Sequence, residues 1–296
     1  MVFMHQAAYV FFMALLWPLF LGASPKTQEK EAAKALDELA THLRPSPLFV
    51  IQPYEANYRV TIPEDGGQAF QFDGDMSVIL EEEEDSWSYA EEVTGYLASS
   101  TGRVVPFRWS YQTREAKDGT SFRFDYIVTR GKKTVCHHQG HVTYDPLSKK
   151  GTVVWEQPRQ SRVDIVNDIL FPMGLLTKIT QDMDSLPHTL SAHMFDGKTQ
   201  KFLPSVSCFT SQPRVVRWFE RDRPSPRNMT VWPVFQAFYM EKTEGERLAP
   251  TERRQFLMTR RGVPLKTSRT VDGLSFTCVL RTYAARLPSE AKGPRG

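Results

Sequence analysis

Between Leu48 and Leu287 one unit recurs: a run of four to eight residues rich in aromatic and β-branched side chains, closed by turn residues. No other feature limits the possible folds as strongly. Tyr58–Ile62, Phe107–Tyr111, Phe122–Tyr126 and Thr152–Trp155 are examples. Several alternate apolar with polar, so one face is buried and the other meets water. Asp-Gly pairs begin at Asp65, Asp73, Asp118, Asp196 and Asp272, and this dipeptide supplies the positive φ angles of tight hairpins. Five such turns predict a long antiparallel meander. The sequence has no strand–helix–strand alternation, which argues against doubly wound and barrel α/β architectures. One interruption is helical. After Ile169-Leu170-Phe171 comes Pro172, tolerated in a first helical turn, and Met173, Leu176, Ile179 and Thr180 then repeat at helical spacing up to Pro187. A short helix therefore divides the strands into two sets. No low-complexity linker separates them, which predicts a single antiparallel β domain over residues 48–288, with an N-terminal helix before it and a disordered tail at 289–296.

The start of the chain reads as an export signal over residues 1–24. Ala7–Gly22 is apolar, is interrupted by Pro18, and is followed by the small residues Ala23 and Ser24. It is shorter than the roughly 20 residues that span a bilayer. Its removal predicts an exported protein that is not transmembrane after cleavage; an uncleaved anchor is the alternative. Residues 25–47 follow as an amphipathic helix, with Ala32, Ala33, Leu36, Leu39, Ala40 and Leu43 on one face, and then a Pro-rich connection.

Composition serves mainly to exclude. With 41% hydrophobic and 24% charged residues the chain is globular. A formal charge of +3 gives no basic field of the kind that nucleic acid attracts. The charge is nevertheless uneven, −11 over residues 1–102 and +14 over residues 103–296. Glu81–Asp85 reads as a solvated hairpin tip. Arg253-Arg254 and Arg260-Arg261 read as strand faces in water, with an anionic lipid headgroup or envelope polymer as the functional alternative.

Cys136-His137-His138-Gln139-Gly140-His141 is the densest set of metal-ligand types. On a strand, Cys136 and His138 face one way and His137 the other. That splits the set, and no second group completes four ligands, so no metal is expected. The sequence holds no nucleophile elbow, zinc-protease motif or phosphate loop. Asp125, Asp164, Asp168 and Asp196 sit among apolar residues and read as turn or helix caps. A hydrolase built from distant Asp and His residues, with a carboxylate near His137, His138 or His188, is the enzymatic alternative. Tyr54, Tyr58, Trp109, Tyr111, Phe122, Phe124, Tyr126, Trp155, Phe235 and Phe238 lie on strands of a sheet large enough to curl around a core or a ligand cavity. Any two of Cys136, Cys208 and Cys278 are free to pair in an oxidising compartment.

The order of these features resembles the EipB-like family of periplasmic cell-envelope integrity proteins, long known as a domain of unknown function. The resemblance rests on Tyr54-Glu55-Ala56-Asn57-Tyr58, on Glu115–Phe124, on Ile169-Leu170-Phe171-Pro172, on Phe195-Asp196-Gly197, and on the strands Phe235–Tyr239 and Arg281-Thr282-Tyr283. It implies a long antiparallel sheet wound as a spiral or semi-open barrel, and a non-enzymatic role in the envelope. It implies no catalytic, metal or cofactor residues. A lipid or peptidoglycan component, or another periplasmic protein, is the partner it suggests. A carrier of a hydrophobic envelope component in the curled sheet is the alternative. The resemblance also implies a disulfide to the C-terminal end, where Cys278 stands. The early partner position falls near Trp87-Ser88-Tyr89, which has no Cys, so Cys136 or Cys208 would substitute. Placed on neighbouring strands of the C-terminal half, Cys208 and Cys278 are the expected pair, leaving Cys136 free.

Overall fold

The computed structural model describes residues 51–62, 70–181, 183, 188–198, 205–218, 227–239, 250, 252–271 and 274–286. The expected signal segment, N-terminal helix and C-terminal tail lie outside the described residues, as do the Asp-Gly pairs at Asp65 and Asp272. The described residues all belong to the compact unit Phe49–Gly296.

Among the described residues sixteen strands and one helix follow in chain order: β1 (Tyr54–Thr61), β2 (Phe70–Glu82), β3 (Ser86–Ser99), β4 (Val104–Ala116), β5 (Ser121–Arg130), β6 (Lys133–Asp145), β7 (Lys150–Gln157), β8 (Ser161–Ile165), β9 (Ile169–Leu170), α1 (Pro172–Gln181), β10 (His188–Met194), β11 (Ser205–Thr210), β12 (Arg214–Trp218), β13 (Arg227–Tyr239), β14 (Glu252–Thr259), β15 (Pro264–Val271) and β16 (Leu274–Ala285). They form one sheet. From β8 it runs back through β7, β6, β5, β4, β3 and β2 to β1, passes to β16, and continues through β15, β14, β13 and β11 to β10 and β9; β12 pairs β13 beside this path. Every pairing is antiparallel except β9 with β10. The expected antiparallel sheet, wound as a semi-open barrel with a short central helix, is the architecture found.

Topology shows why the sheet must roll. Its two edges, β8 and β9, are not bonded to each other, yet only residues 166–168 connect them. Four residue steps from Ile165 to Ile169 span at most about 14 Å. The far ends of the ribbon are therefore brought side by side, and side chains close the gap. The Tyr144 hydroxyl on β6 donates to the Asn167 carbonyl (3.1 Å) and accepts from the Ile169 amide (3.3 Å). Around it Phe122, Phe124, Trp155, Ile165, Ile169, Phe171 and Phe195 form one buried cluster. Phe122 and Phe171 stack with centroids 4.9 Å apart, and Phe124 meets Trp155 edge-on at 5.0 Å.

Alternation carries the rest. On β4, Trp109, Tyr111, Thr113 and Glu115 point inward while Arg108, Gln112 and Arg114 point to solvent. The Asp118-Gly119 pair makes the β4–β5 turn, with Gly119 at φ 75°. Asp73-Gly74 does not make a turn. Gly74 lies in mid-strand opposite Gly95 of β3, where the Phe72 ring covers both glycines; a Cβ on Gly74 would come within 2.3 Å of the Thr94 carbonyl oxygen. Here glycine serves a close approach of strands rather than a reversal. The acidic run 81–85 does lie at the β2–β3 turn, but it is paired rather than merely solvated: Glu81 meets Arg286, Glu82 meets Lys117 at 2.8 Å, and Glu83 meets Arg114.

The helix begins at Pro172 as expected and buries Met173, Leu175, Ile179 and Thr180. Its cap was not foreseen. The Met173 and Gly174 amides donate to the two carboxylate oxygens of Glu115, on β4, at 2.8 and 2.7 Å. Asp168, the nearby acid in sequence, instead pairs with Lys149 at 2.9 Å in solvent.

Candidate functional site

Inside the roll, beneath α1, lies a cavity of about 200 Å³. Its wall draws on β1–β4, α1, β10 and β13–β16, so it exists only once both halves of the chain have assembled. Its apolar lining is rich in methionine: Met76, Met173, Met194 and Met258, with Leu176 and Ile179 from the helix. The rest of the lining includes five charged residues, Glu91, Asp196, Lys198, Arg254 and Arg269.

The charged lining is built from long-range contacts. Glu91 on β3 is 8% exposed and accepts from the Tyr89 hydroxyl (2.7 Å) and the Trp109 indole Nε1 (2.9 Å). Burial alone would raise its pKa. The Lys198 and Arg269 cations, together with these two hydrogen bonds, overrule burial and hold it at about 2. Arg254 spends its guanidinium on Glu252, at 2.5 and 3.1 Å, lies 3.7 Å from Asp196, and packs over the Phe238 ring. The sequence placed Arg254 on a solvated strand face. In the structure it turns inward while Arg253 stays exposed.

Lys198 arrives through the turn after β10. Gly197 has φ 71°, and a Cβ there would come within 2.3 Å of Phe124 Cγ. Only glycine fits both conditions. The turn is pinned from two strands: the Tyr111 hydroxyl donates to the Asp196 carbonyl at 2.6 Å, and His138 Nδ1 donates to the Lys198 carbonyl at 2.7 Å. The Lys198 ammonium then sits 4.0 Å from the Tyr111 ring centroid. Burial lowers its pKa, against the pull of Glu91.

The residues singled out by sequence distribute as follows. Cys136 and His138 do share the inner face, with Sγ 3.6 Å from Nε2, while His137 pairs with Asp125 at 3.0 Å and His141 with Glu156 at 3.2 Å. Among the described residues no three His, Cys, Asp or Glu side chains are placed to share a metal ion. Asp164 lies in solvent beside Thr152 and Arg162. The expected Cys208–Cys278 bond is not formed, and all three cysteines are free thiols. The reason is topological: β11 and β16 are separated by β13, β14 and β15, four strand spacings of about 4.8 Å along the sheet. Burial pushes the Cys208 and Cys278 thiols up to about 11. Of the expected aromatics, Tyr54, Tyr58 and Tyr111 line the cavity, whereas Phe122, Phe124 and Trp155 fill the seam and Phe235 is exposed. Glu91, Lys198 and Arg269 were missed. Glu91 and Arg269 lie on strands, where a lone charge reads as solvent-facing, and Lys198 lies in the turn after β10, where no alternation applies.

A polar depression of about 290 Å³ involves Gln112, Arg114, Arg123, Asp125 and Glu156 of β4, β5 and β7. These outward-facing side chains do not converge on a buried group. The interior cavity is the better candidate.

Comparison with known proteins gives a family and a fold. The profile described as EipB-like matches residues 46–266. The crystal structure of a β-barrel-like protein of domain of unknown function DUF1849 from Brucella abortus superposes with a TM-score of 0.70 at 17% identity, covering 80% of this chain and 99% of the other. No curated protein matches.

Proposed function

The chain belongs to the EipB-like family, and from that membership we propose that it is an exported periplasmic protein that supports cell-envelope integrity by non-catalytic binding. The observation that carries the reading is the interior cavity: methionine and aliphatic side chains line it together with a few charged ones, enclosed by a single rolled sheet and its helix. Small-molecule sites have this form, mostly apolar with a few placed polar groups. The Cys136–His138 pair does not line the cavity, and burial raises the Cys136 thiol's pKa, the opposite of what a cysteine nucleophile requires. Among the described residues no helix is long and apolar enough to cross a membrane.

A second reading, a carrier for a hydrophobic envelope component, is favoured by the four methionines of the cavity wall, since flexible thioethers repack around ligands of varied shape. The test of the envelope role is a deletion strain challenged with detergent and cell-wall antibiotics. Sensitivity that full-length protein relieves, and protein lacking residues 1–24 does not, is the expected result. Unchanged growth under those stresses overturns the proposal.

A further inference from the structure

We propose that the cavity takes an anionic amphiphile, a carboxylate or phosphate headgroup held between Lys198 and Arg269 with its alkyl chain against Met76, Met173, Met194 and Met258. The inference rests on the binding reading above and names its ligand class.

Three observations support it. First, the cations are unequally spent. Arg254 is matched by Glu252 and Asp196, but among the described residues no carboxylate lies within ion-pair distance of Lys198 or Arg269. Lys198 rests on the Tyr111 ring and Arg269 on the Trp109 ring, 4.3 Å away. Glu91, Asp196 and Glu252 balance Lys198, Arg254 and Arg269 in formal charge, but the first of these carboxylates already accepts from Tyr89 and Trp109 and the other two lie on Arg254. Second, two donors in this wall are buried without a partner: Arg269 Nε and the hydroxyl of Tyr58, a residue 1% exposed. The hydroxyl of Tyr54 lies beside it. Buried donors that stay unpaired are costly, and an acceptor-only headgroup answers both. Third, the apolar lining offers no acceptor. It is methionine and aliphatic carbon from β2, α1, β10 and β14, suited to a chain with many conformers.

The test compares twelve-carbon probes that differ only in headgroup, each titrated by calorimetry against the full-length protein after removal of its signal. Dodecanoate and dodecyl phosphate are expected to bind. Dodecanol should bind at least tenfold more weakly, because a charge-assisted hydrogen bond is lost, and dodecyltrimethylammonium should not bind. Shortening the carboxylate should weaken it about fourfold per methylene. Lys198→Gln should weaken dodecanoate at least tenfold while leaving dodecanol unchanged. Equal binding of dodecanol and dodecanoate overturns the headgroup assignment but leaves the carrier reading standing. Binding of none of the four overturns both. The headgroup series on unaltered protein decides the matter even if Lys198→Gln fails to fold. Among the anionic probes, preference for the phosphate points to a phospholipid source and preference for the carboxylate to a free fatty acid.

Discussion

The rolled sheet has two interiors that solve opposite problems. At the seam, where β8 and β9 come together without bonding, aromatic rings fill the space. In the cavity the wall is part methionine and part charge, and space remains. A seam has one job, to hold two edges in one geometry, and rigid rings with few rotamers do this at low entropic cost. A binding wall must admit different shapes, and flexible thioethers among fixed charges suit that. The contrast teaches that stability and binding are segregated within one continuous sheet.

The largest effect should come from breaking the seam. Phe122 is fully buried and touches Phe124, Phe171 and Phe195. Phe122→Ala should lower stability by about 3–5 kcal/mol, read as a fall in the urea midpoint. A loss below about 1 kcal/mol would show that the seam does not hold the roll closed. Gly197→Ala strikes the hinge between the two regions, since its Cβ would collide with the seam ring Phe124 while its backbone positions Lys198 in the cavity. The expected cost is about 2–4 kcal/mol, from overpacking plus a left-handed backbone that alanine disfavours.

Two buried glutamates sharpen the comparison through pH. Glu91, held at about 2 by the cavity cations against the cost of burial, adds stability that is full above its unfolded value near 4.5 and is lost as pH falls toward 2. Glu115 is 3% exposed and meets only helix amides; burial raises it to about 7 despite those hydrogen bonds. Its contribution runs the other way, full below pH 4.5 and lost as pH rises through about 7. Each limb is worth roughly 3 kcal/mol by linkage. Glu91→Gln should flatten the acid limb and Glu115→Gln the limb between pH 4.5 and 7, each measured as the urea midpoint against pH. Failure of either substitution to remove its own limb would sever that assignment.

How far the sequence reaches can be judged from these same residues. The meander, the turn at Asp118-Gly119, the helix at Pro172 and the split of Cys136 and His138 from His137 all follow from local periodicity, which is a property of neighbours in the chain. Glu91, Lys198, Arg254 and Arg269 converge only because β1 pairs β16 and the ribbon rolls. No local pattern encodes those contacts. The expected disulfide failed for the same reason: Cys208 and Cys278 both lie in the C-terminal half, yet three strands intervene. Asp73-Gly74 failed differently. The dipeptide that makes one hairpin turn relieves strand crowding in the next strand pair.

The smallest effect on stability should come from the methionines, and it isolates what the cavity wall is for. Met76 and Met258 are 6% and 3% exposed, so by burial alone they resemble the seam residues. Leucine nearly conserves their volume, and such swaps generally cost less than about 1.5 kcal/mol. Met76→Leu with Met258→Leu should therefore leave the urea midpoint almost unchanged. What leucine removes is adaptability, because it is branched and has one fewer rotatable bond than methionine. Dodecanoate affinity should fall by about threefold to tenfold, and bulkier or unsaturated chains should lose more than straight ones. A large drop in stability with selectivity unchanged would mean that the methionines are ordinary packing, and that the cavity and the seam differ in degree rather than in kind.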